Sequence, residues 1–372
     1  MGTSSHESNS PGSEELSGFA ERLLAVIDEG RRTATYKLAV LLALMDCCAE
    51  QASPDGGAPP ELSTRSIARH VARLYWPQLR PFPVAGGPVE LRQITNKSAT
   101  ILRVLGNAFR ALPNVGTWEA AEAGLHPDEV GQVLDVVELT VARYPLVRLQ
   151  TIDGTPKPFI YDIAWGEGVT LRMLAAAGGG RVLLRPGAGG QLIRLAPLIR
   201  PLVELHWIRM VADLNGLGLM EDDLRRHLFG AERAFFPLPL RRDLRDLQSG
   251  RCFYCAEPLA GASAVDHFIP WSRWPNDAIE NLVIAHPSCN SHKSDRIPGP
   301  IPLSRWADRL VTSGDDLAEV AVSTKWRTDR ARTVSLARSL YAHLPTEALV
   351  WNSPAQVDTA DPAELLGLLA PL

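Results

Sequence analysis

The chain has 372 residues, with 38 Lys plus Arg against 42 Asp plus Glu, and a formal net charge of −4 excludes a protein that holds nucleic acid by bulk attraction alone. An apolar content of 45% and a charged content of 22% belong to a chain that folds around a core, and exclude a disordered polyelectrolyte. The richest apolar run, Leu38 to Cys48, is broken by Asp46 and is too short to cross a bilayer; five cysteines, two of them adjacent, make no disulfide framework, so a cytoplasmic setting is expected.

Residues 1–14 are polar and rich in Ser, Gly and Pro, lack the basic and apolar parts of a secretory leader, and read as a disordered tail. A helical N-terminal domain is expected over 15–145. Leu16, Phe19, Leu23, Leu24 and Ile27 recur at helical spacing, and Leu38 to Cys48 is apolar on nearly every side, as in a buried central helix with Cys47 and Cys48 as small core residues. After the loop SPDGGAPP comes LSTRSIARHVARLYW, which Ser63 or Thr64 can cap. Its Arg65, Arg69 and Arg73 lie four apart, as on a DNA-reading helix or on an ordinary charged face; the want of a clear second helix favours the latter. Residues 96–112 and 127–144 are also helical in spacing.

A β-hairpin and helix region is expected over 146–220. LVRLQTI and FIYDIAW flank the turn DGTPKP as a hairpin-like pair, and GVTLRML and RVLLR read as short strands. Gly178–Gly180 and the PGAGG at 186–190 are turns, since neither a GK[ST] nor a GxGxxG pattern accompanies them. Leu192 to Asn215 is helical around Pro197 and Pro201, and 221–248 reads as helices joined by a proline-containing turn. Basic residues are thirty-three Arg against five Lys, a bias that makes arginine number a poor sign of DNA binding. Past Lys293, RWADRLV and LARSLYAHL read as helical, with Arg327, Arg330, Arg332 and Arg338 leading into and lying in the second as a mixed-charge exterior or a DNA-facing surface, and a short Leu-rich helix or a loose end follows Asn352.

Between Arg251 and Lys293 the chain concentrates its chemistry. Cys252 and Cys255 form a CxxC, and His286 and Cys289 repeat the two-residue gap. A CxxC alone is a redox pair, two small core residues or half a metal site; the matching second pair makes a Cys3His structural zinc set, which contributes on the order of 10 kcal/mol to the folding of so short a module. Inside this frame lie Asp266, His267, Asn281, Asn290 and Lys293. Hydrolysing a phosphodiester needs an activated water and positive charge on the oxygens that become negative. His267 suits the first need. Asp266 and Asn290 offer hard oxygens for Mg2+ or Mn2+, and Lys293, three residues after Asn290, shares its helix face and is expected to reach a phosphate. His292 reads as an exposed helix residue. Neighbours on a regular strand point to opposite faces, so Asp266 and His267 can address one site only if the strand ends or twists there, which Ile269-Pro270 favours.

The set Asp266-His267, Pro270, Asn281-Leu282, Cys289-Asn290 and Lys293 resembles the HNH endonucleases, the His-Me finger or ββα-metal nucleases. The resemblance covers about residues 245–300. It implies that His267 activates water, that Asp266 and Asn290 hold a divalent ion, and that Asn281 ties down the intervening loop through backbone hydrogen bonds. Two positions depart from the pattern: Asn290 stands in place of a histidine, and His286 in place of a cysteine.

The fold class expected is α+β: a mainly helical N-terminal domain with a small β-rich insert, a zinc-stapled ββα-metal nuclease module with leading helices over 221–300, and a C-terminal helical region over 301–372. The function expected is a metal-dependent DNA endonuclease or nickase with catalytic Mg2+ or Mn2+ and structural Zn2+. Two other readings stand beside it. One is a zinc-stapled DNA- or partner-binding module without catalysis, in which Asp266-His267 caps a turn. The other is a nuclease whose N-terminal domain docks a partner protein that licenses cutting. A setting in prokaryotic defence follows from how often such nucleases carry a large extra domain.

Overall fold

A computed structural model describes residues 11–28, 34–95, 99–112, 115–176, 178–230, 236–345 and 347–372, with side chains from Glu15 onward. Of the tail expected to be disordered, residues 1–10 lie outside the described residues, and a helix already begins at Pro11. The fold is α+β, mainly helical with small sheets, and divides into two compact units: Met1–Cys47 with Pro60–Phe229, and Cys48–Pro59 with Gly230–Leu372. Among the described residues no helix is long and apolar enough to cross a membrane.

The first unit opens with α1 (Pro11–Asp28) and α2 (Tyr36–Glu50). Leu38 to Ala49 is buried on all faces of α2, as an apolar run broken only by Asp46 requires. Its one acid, Asp46, is buried against the Arg200 guanidinium, which offsets the cost of removing a carboxylate from water. β1 (Glu61–Ser63) leads into α3 (Thr64–Tyr75), where Ser63 accepts the Ser66 N–H at 3.0 Å. Then follow α4 (Thr100–Ala111), α5 (Trp118–Gly124) and α6 (Pro127–Arg143). The arginine stripe of α3 is spent here: Arg65 on Asp135 and, at 2.9 Å, Glu138; Arg69 on Glu122 at 2.8 Å; Arg73 near Glu119 and Asp46 at 3.7 and 3.8 Å. It is an ion-paired face.

The stretch from Pro145 departs from the hairpin expected there. Proline at the first helical position turns LVR into α7 (Pro145–Arg148), and the hairpin shrinks to β2 (Thr151–Ile152) and β3 (Thr155–Pro156) around Asp153-Gly154, both at positive φ. β4 (Tyr161–Asp162) pairs elsewhere. GVTLRML, read as a strand, is largely the helix α8 (Leu171–Ala175), because Thr170 accepts the Met173 N–H at 3.3 Å and Leu, Arg, Met and Ala favour the helix. β5 (Arg181–Leu184) is a strand as expected and is the middle of an antiparallel β1–β5–β4 sheet. One buried side chain replaces the missing hairpin: Gln150 Oε1 accepts the N–H groups of Phe159, Ile160 and Tyr161 at 2.7, 2.6 and 3.2 Å, and its Nε2 donates to Tyr161 O at 2.8 Å. The unit closes with α9 (Ala188–Asn215), which contains Pro197 and Pro201, and α10 (Glu221–Phe229).

The second unit runs through α11 (Leu238–Leu247), the antiparallel pair β6 (Ala264–His267) and β7 (Leu282–Ala285), and α12 (Pro287–Lys293). Beyond Lys293 it is less purely helical than expected. β8 (Ile297–Pro298) and α13 (Pro300–Thr312) are followed by α14 (Gly314–Thr324), α15 (Arg330–Ala342), β9 (Leu349–Ser353), β10 (Gln356–Thr359) and α16 (Pro362–Leu369). β9 pairs in parallel with β8 and antiparallel with β10. Phe268, just past β6, stacks on Trp306 of α13 with centroids 4.8 Å apart, so α13 buries the loop that leaves the strand.

Both units bury tyrosines whose hydroxyls burial holds above their ordinary range: Tyr75 and Tyr161 in the first, Tyr254 and Tyr341 in the second. The folded protein keeps these protons where the unfolded chain releases them, near pH ~10, so their stabilisation is complete below that pH and is lost as pH rises toward the folded values. The denaturation midpoint should hold between about pH 7 and 9 and fall above about 10, with tyrosinate absorbance rising together with the loss of helical signal. Tyrosinate forming near pH 10 with helical signal intact would contradict this burial.

Candidate active site

The turn after α11 brings the first pair of sulfurs together. Gly250 at positive φ reverses the chain, the Cys252 N–H bonds to Glu257 O at 2.9 Å, and the Ala256 N–H returns to Cys252 O at 2.9 Å. Cys252, Cys255, His286 and Cys289 then place their four ligand atoms within 4.8 Å of one another. Cys255 Sγ lies 3.3 Å from His286 Nδ1, while His286 Nε2 faces Pro258 O at 3.2 Å. A donating Nε2–H leaves Nδ1 as the lone-pair atom turned to the sulfurs, the outer-shell arrangement of metal-binding histidines. At Cys252, burial pushes the thiol up but the N–H groups of Cys255, His286 and Tyr254 outweigh it, and the net shift is downward. Burial and then the Cys252 charge push the Cys289 thiol up to about 12. A bound cation is what lets three such sulfurs be thiolates together. The donors fit a zinc frame.

β6, the loop after it, β7 and α12 lie within this frame. Asn281, at the start of β7, is fully buried and spans the loop: its Oδ1 accepts Ile269 N–H at 2.7 Å, and its Nδ2 donates to Ile269 O at 3.1 Å and Asn276 O at 2.9 Å. α13 braces both flanks. Trp306 Nε1 donates to Glu280 O at 2.8 Å, and the Arg305 guanidinium donates to the carbonyls of Phe253 and, at 2.8 Å, Tyr254.

Lys293 does not stand at the surface as the phosphate-reaching cation expected. It is fully buried, with Nζ 3.0 Å from Asp266 Oδ2 and 2.8 Å from His267 O. Tyr254 OH also donates to Asp266 Oδ2, at 2.5 Å. Burial pulls the ammonium downward from its ordinary range, and the Asp266 carboxylate opposes that. The helix α12 turns Lys293 inward onto β6, a direction set by tertiary packing. Lys293 therefore holds the end of β6 and one oxygen of Asp266.

β6 ends at His267, whose register partner is Leu282. The ring turns away from the groups that hold Asp266. Its Nε2 lies 2.7 Å from Asp277 Oδ1, and Trp271 and Phe236 lie beside it at tilted angles, with centroids 5.2 and 5.7 Å away. Asp277 and Tyr254 are thus two site residues that motif reading missed. Asp277 had a faint signal as the one acid in the loop WPNDA between His267 and Asn281; Tyr254 had none beyond lying within the CxxC. No hydrogen bond joins Asn290 to Asp266 or His267 among the described residues. The Asn290 amide and Asp266 Oδ1 have no hydrogen-bond partner there either, and α12 packs on β6. One carboxylate oxygen and one amide oxygen are a fitting donor set for a hard divalent ion.

Residues 252–299 match the model of a family described as HNH endonuclease. This stretch, from the zinc-type turn through α12 to Gly299, is an HNH endonuclease domain with a Cys3His cluster. Comparison with curated proteins and with solved structures returns no match.

Metal analysis of the purified protein should find one zinc per chain, removable by strong chelation. Cys289→Ser should lose it and open 250–295 to protease, a destabilisation on the order of 10 kcal/mol for the module. A zinc-free protein that resists protease equally in this segment would contradict a structural role for the four ligands.

Proposed function

We propose that the chain is a metal-dependent DNA endonuclease working through its HNH domain, with His267 as general base and Asp266 and Asn290 as holders of Mg2+ or Mn2+. The observation that carries this reading is the fixed imidazole at the end of β6, next in sequence to a carboxylate with one uncommitted oxygen. With Nε2–H donating to Asp277, the lone pair sits on Nδ1, and that atom takes the proton of the attacking water. The phosphorus–oxygen bond to the leaving group breaks, and the leaving oxygen is protonated by solvent. Asp277 keeps the ring in one tautomer and orientation. Lys293 and Tyr254 fix the carboxylate of Asp266, and Asn281 keeps the loop from moving Asp277 relative to the ring. A divalent ion, when bound, supplies positive charge to the scissile phosphate and to the departing oxygen.

The buried Lys293–Asp266 pair favours a second reading, a zinc-stapled DNA- or partner-binding module in which Asp266 is structural. That module would bind DNA in a salt-sensitive way and cut nothing. A partner protein on the first unit and a role in defence against foreign DNA belong to the proposal as well; what supports them is the large unit outside the HNH match.

DNA offered both as supercoiled plasmid and as a single-stranded circle should be cut in the presence of Mg2+ or Mn2+, with nicking or linearisation of the plasmid deciding between nickase and double-strand cutter. His267→Ala should slow cutting by roughly 10²–10⁴-fold and Asp277→Asn by about tenfold or more, without loss of zinc. Equal cutting by wild type and His267→Ala removes His267 as the base. Binding without metal-dependent cutting leaves the second reading.

A further inference from the structure

We infer that the cutting site takes DNA whose bases are unpaired, which it holds by stacking them on a row of aromatic rings that flanks His267. The inference rests on the endonuclease reading and names its substrate class. The row runs Trp271, His267, Phe236, Trp326, with successive centroids 5.2, 5.7 and 5.7 Å apart and planes inclined at 50°, 58° and 46°. Tilted in this way, the rings do not cover one another face to face, and Trp271, Phe236 and Trp326 are each only partly buried. The other large rings among the described residues of this unit are buried, with Trp274, Trp306, Trp351 and Phe268 at most 2% exposed. Leaving three rings part-open only around the proposed base is costly unless something apolar covers them.

The bases of a duplex have their faces covered by their neighbours and offer a protein only edges and phosphates, which ring faces do not recognise. Unpaired bases offer faces, and stacking on aromatic side chains is how single strands are held. A linkage poised over His267 has one neighbouring base on the Trp271 side and the other on the Phe236–Trp326 side. Each end of the row also carries a cation close in sequence: the partly buried Arg273 two residues after Trp271, and the exposed Lys325 before Trp326. These suit the flanking phosphates. The row is tied to the chemistry as well, because Trp326 Nε1 donates to the backbone oxygen of Asp277, at 2.7 Å, and the Asp277 carboxylate holds His267.

Full-length protein with Ca2+ in place of Mg2+ or Mn2+ tests this by fluorescence anisotropy, using one labelled oligonucleotide alone and annealed to its complement. The single strand should bind at least tenfold more tightly. Trp271→Ala should weaken single-strand binding by about tenfold, within the range of one base–aromatic stack, and leave duplex binding within about twofold. Trp271→Phe should restore it, and unchanged zinc content certifies the fold of each variant. Duplex bound as tightly as single strand, no binding of the single strand, or equal weakening of both by Trp271→Ala would overturn the inference. Failure of the nuclease reading looks different: row-dependent single-strand binding persists, but Mg2+ and Mn2+ give no cutting.

Discussion

Three sulfurs and one imidazole nitrogen converge within 4.8 Å, and the site geometry depends on that convergence. A segment of fewer than fifty residues with two four-residue strands and a seven-residue helix buries too little to hold a loop rigid by itself. The ligand pairs join the turn at Cys252–Cys255 to the start of α12, and so fix where β7 ends and α12 begins. Asn290 follows a ligand directly, and Lys293 lies one helical turn beyond it, so both inherit their places from the cluster. The pressure on Cys289, whose thiol burial and the neighbouring thiolate push up to about 12, makes the arrangement unfavourable as a bare set of thiolates and favourable around a cation.

Within that frame the polar groups are divided between holding and reacting. A buried lysine is costly to desolvate, and this one is matched by a carboxylate and a carbonyl, while the same carboxylate oxygen takes a tyrosine hydroxyl. The result is a rigid strand end in which one oxygen of Asp266 is committed and the other is not. His267 leaves the same strand toward other partners, with Asp277 behind its Nε2. Each of the two neighbours has its own supporting groups, and β6 ends at His267, as it must end or twist there for both to address one site.

Much of the architecture is legible in the sequence where a pattern repeats locally. The long apolar run of α2, the Ser63 cap of α3 and the paired two-residue gaps of the cluster each follow from neighbours along the chain. What escapes is set by distant contacts. The β1–β5–β4 sheet pairs Glu61 with Leu183, and neither segment announces the other. GVTLRML misleads because its valine and threonine resemble a strand, while the Thr170 cap and the following Leu, Met and Ala decide for a helix. Leu349 to Ser353 and Gln356 to Thr359 flank a Pro354-Ala355 turn, but the first does not alternate apolar with polar residues, so the pair carries little strand signal beside the helical periodicity around it. Asp277 and the burial of Lys293 depend on which way a loop and a helix face turn, and no local spacing specifies that.

The proposed function places two kinds of metal in two parts of the HNH domain, a structural ion on sulfur and a hard ion on oxygen. A crystal structure of the protein soaked in Mn2+, with anomalous maps collected at the zinc and manganese edges, distinguishes them. A zinc peak is expected among Cys252, Cys255, His286 and Cys289, and a separate manganese peak bonded to Asp266 and Asn290 beside His267. Zinc at the cluster with no manganese at those oxygens, and Asp266 still held only by Lys293 and Tyr254, would contradict that placement.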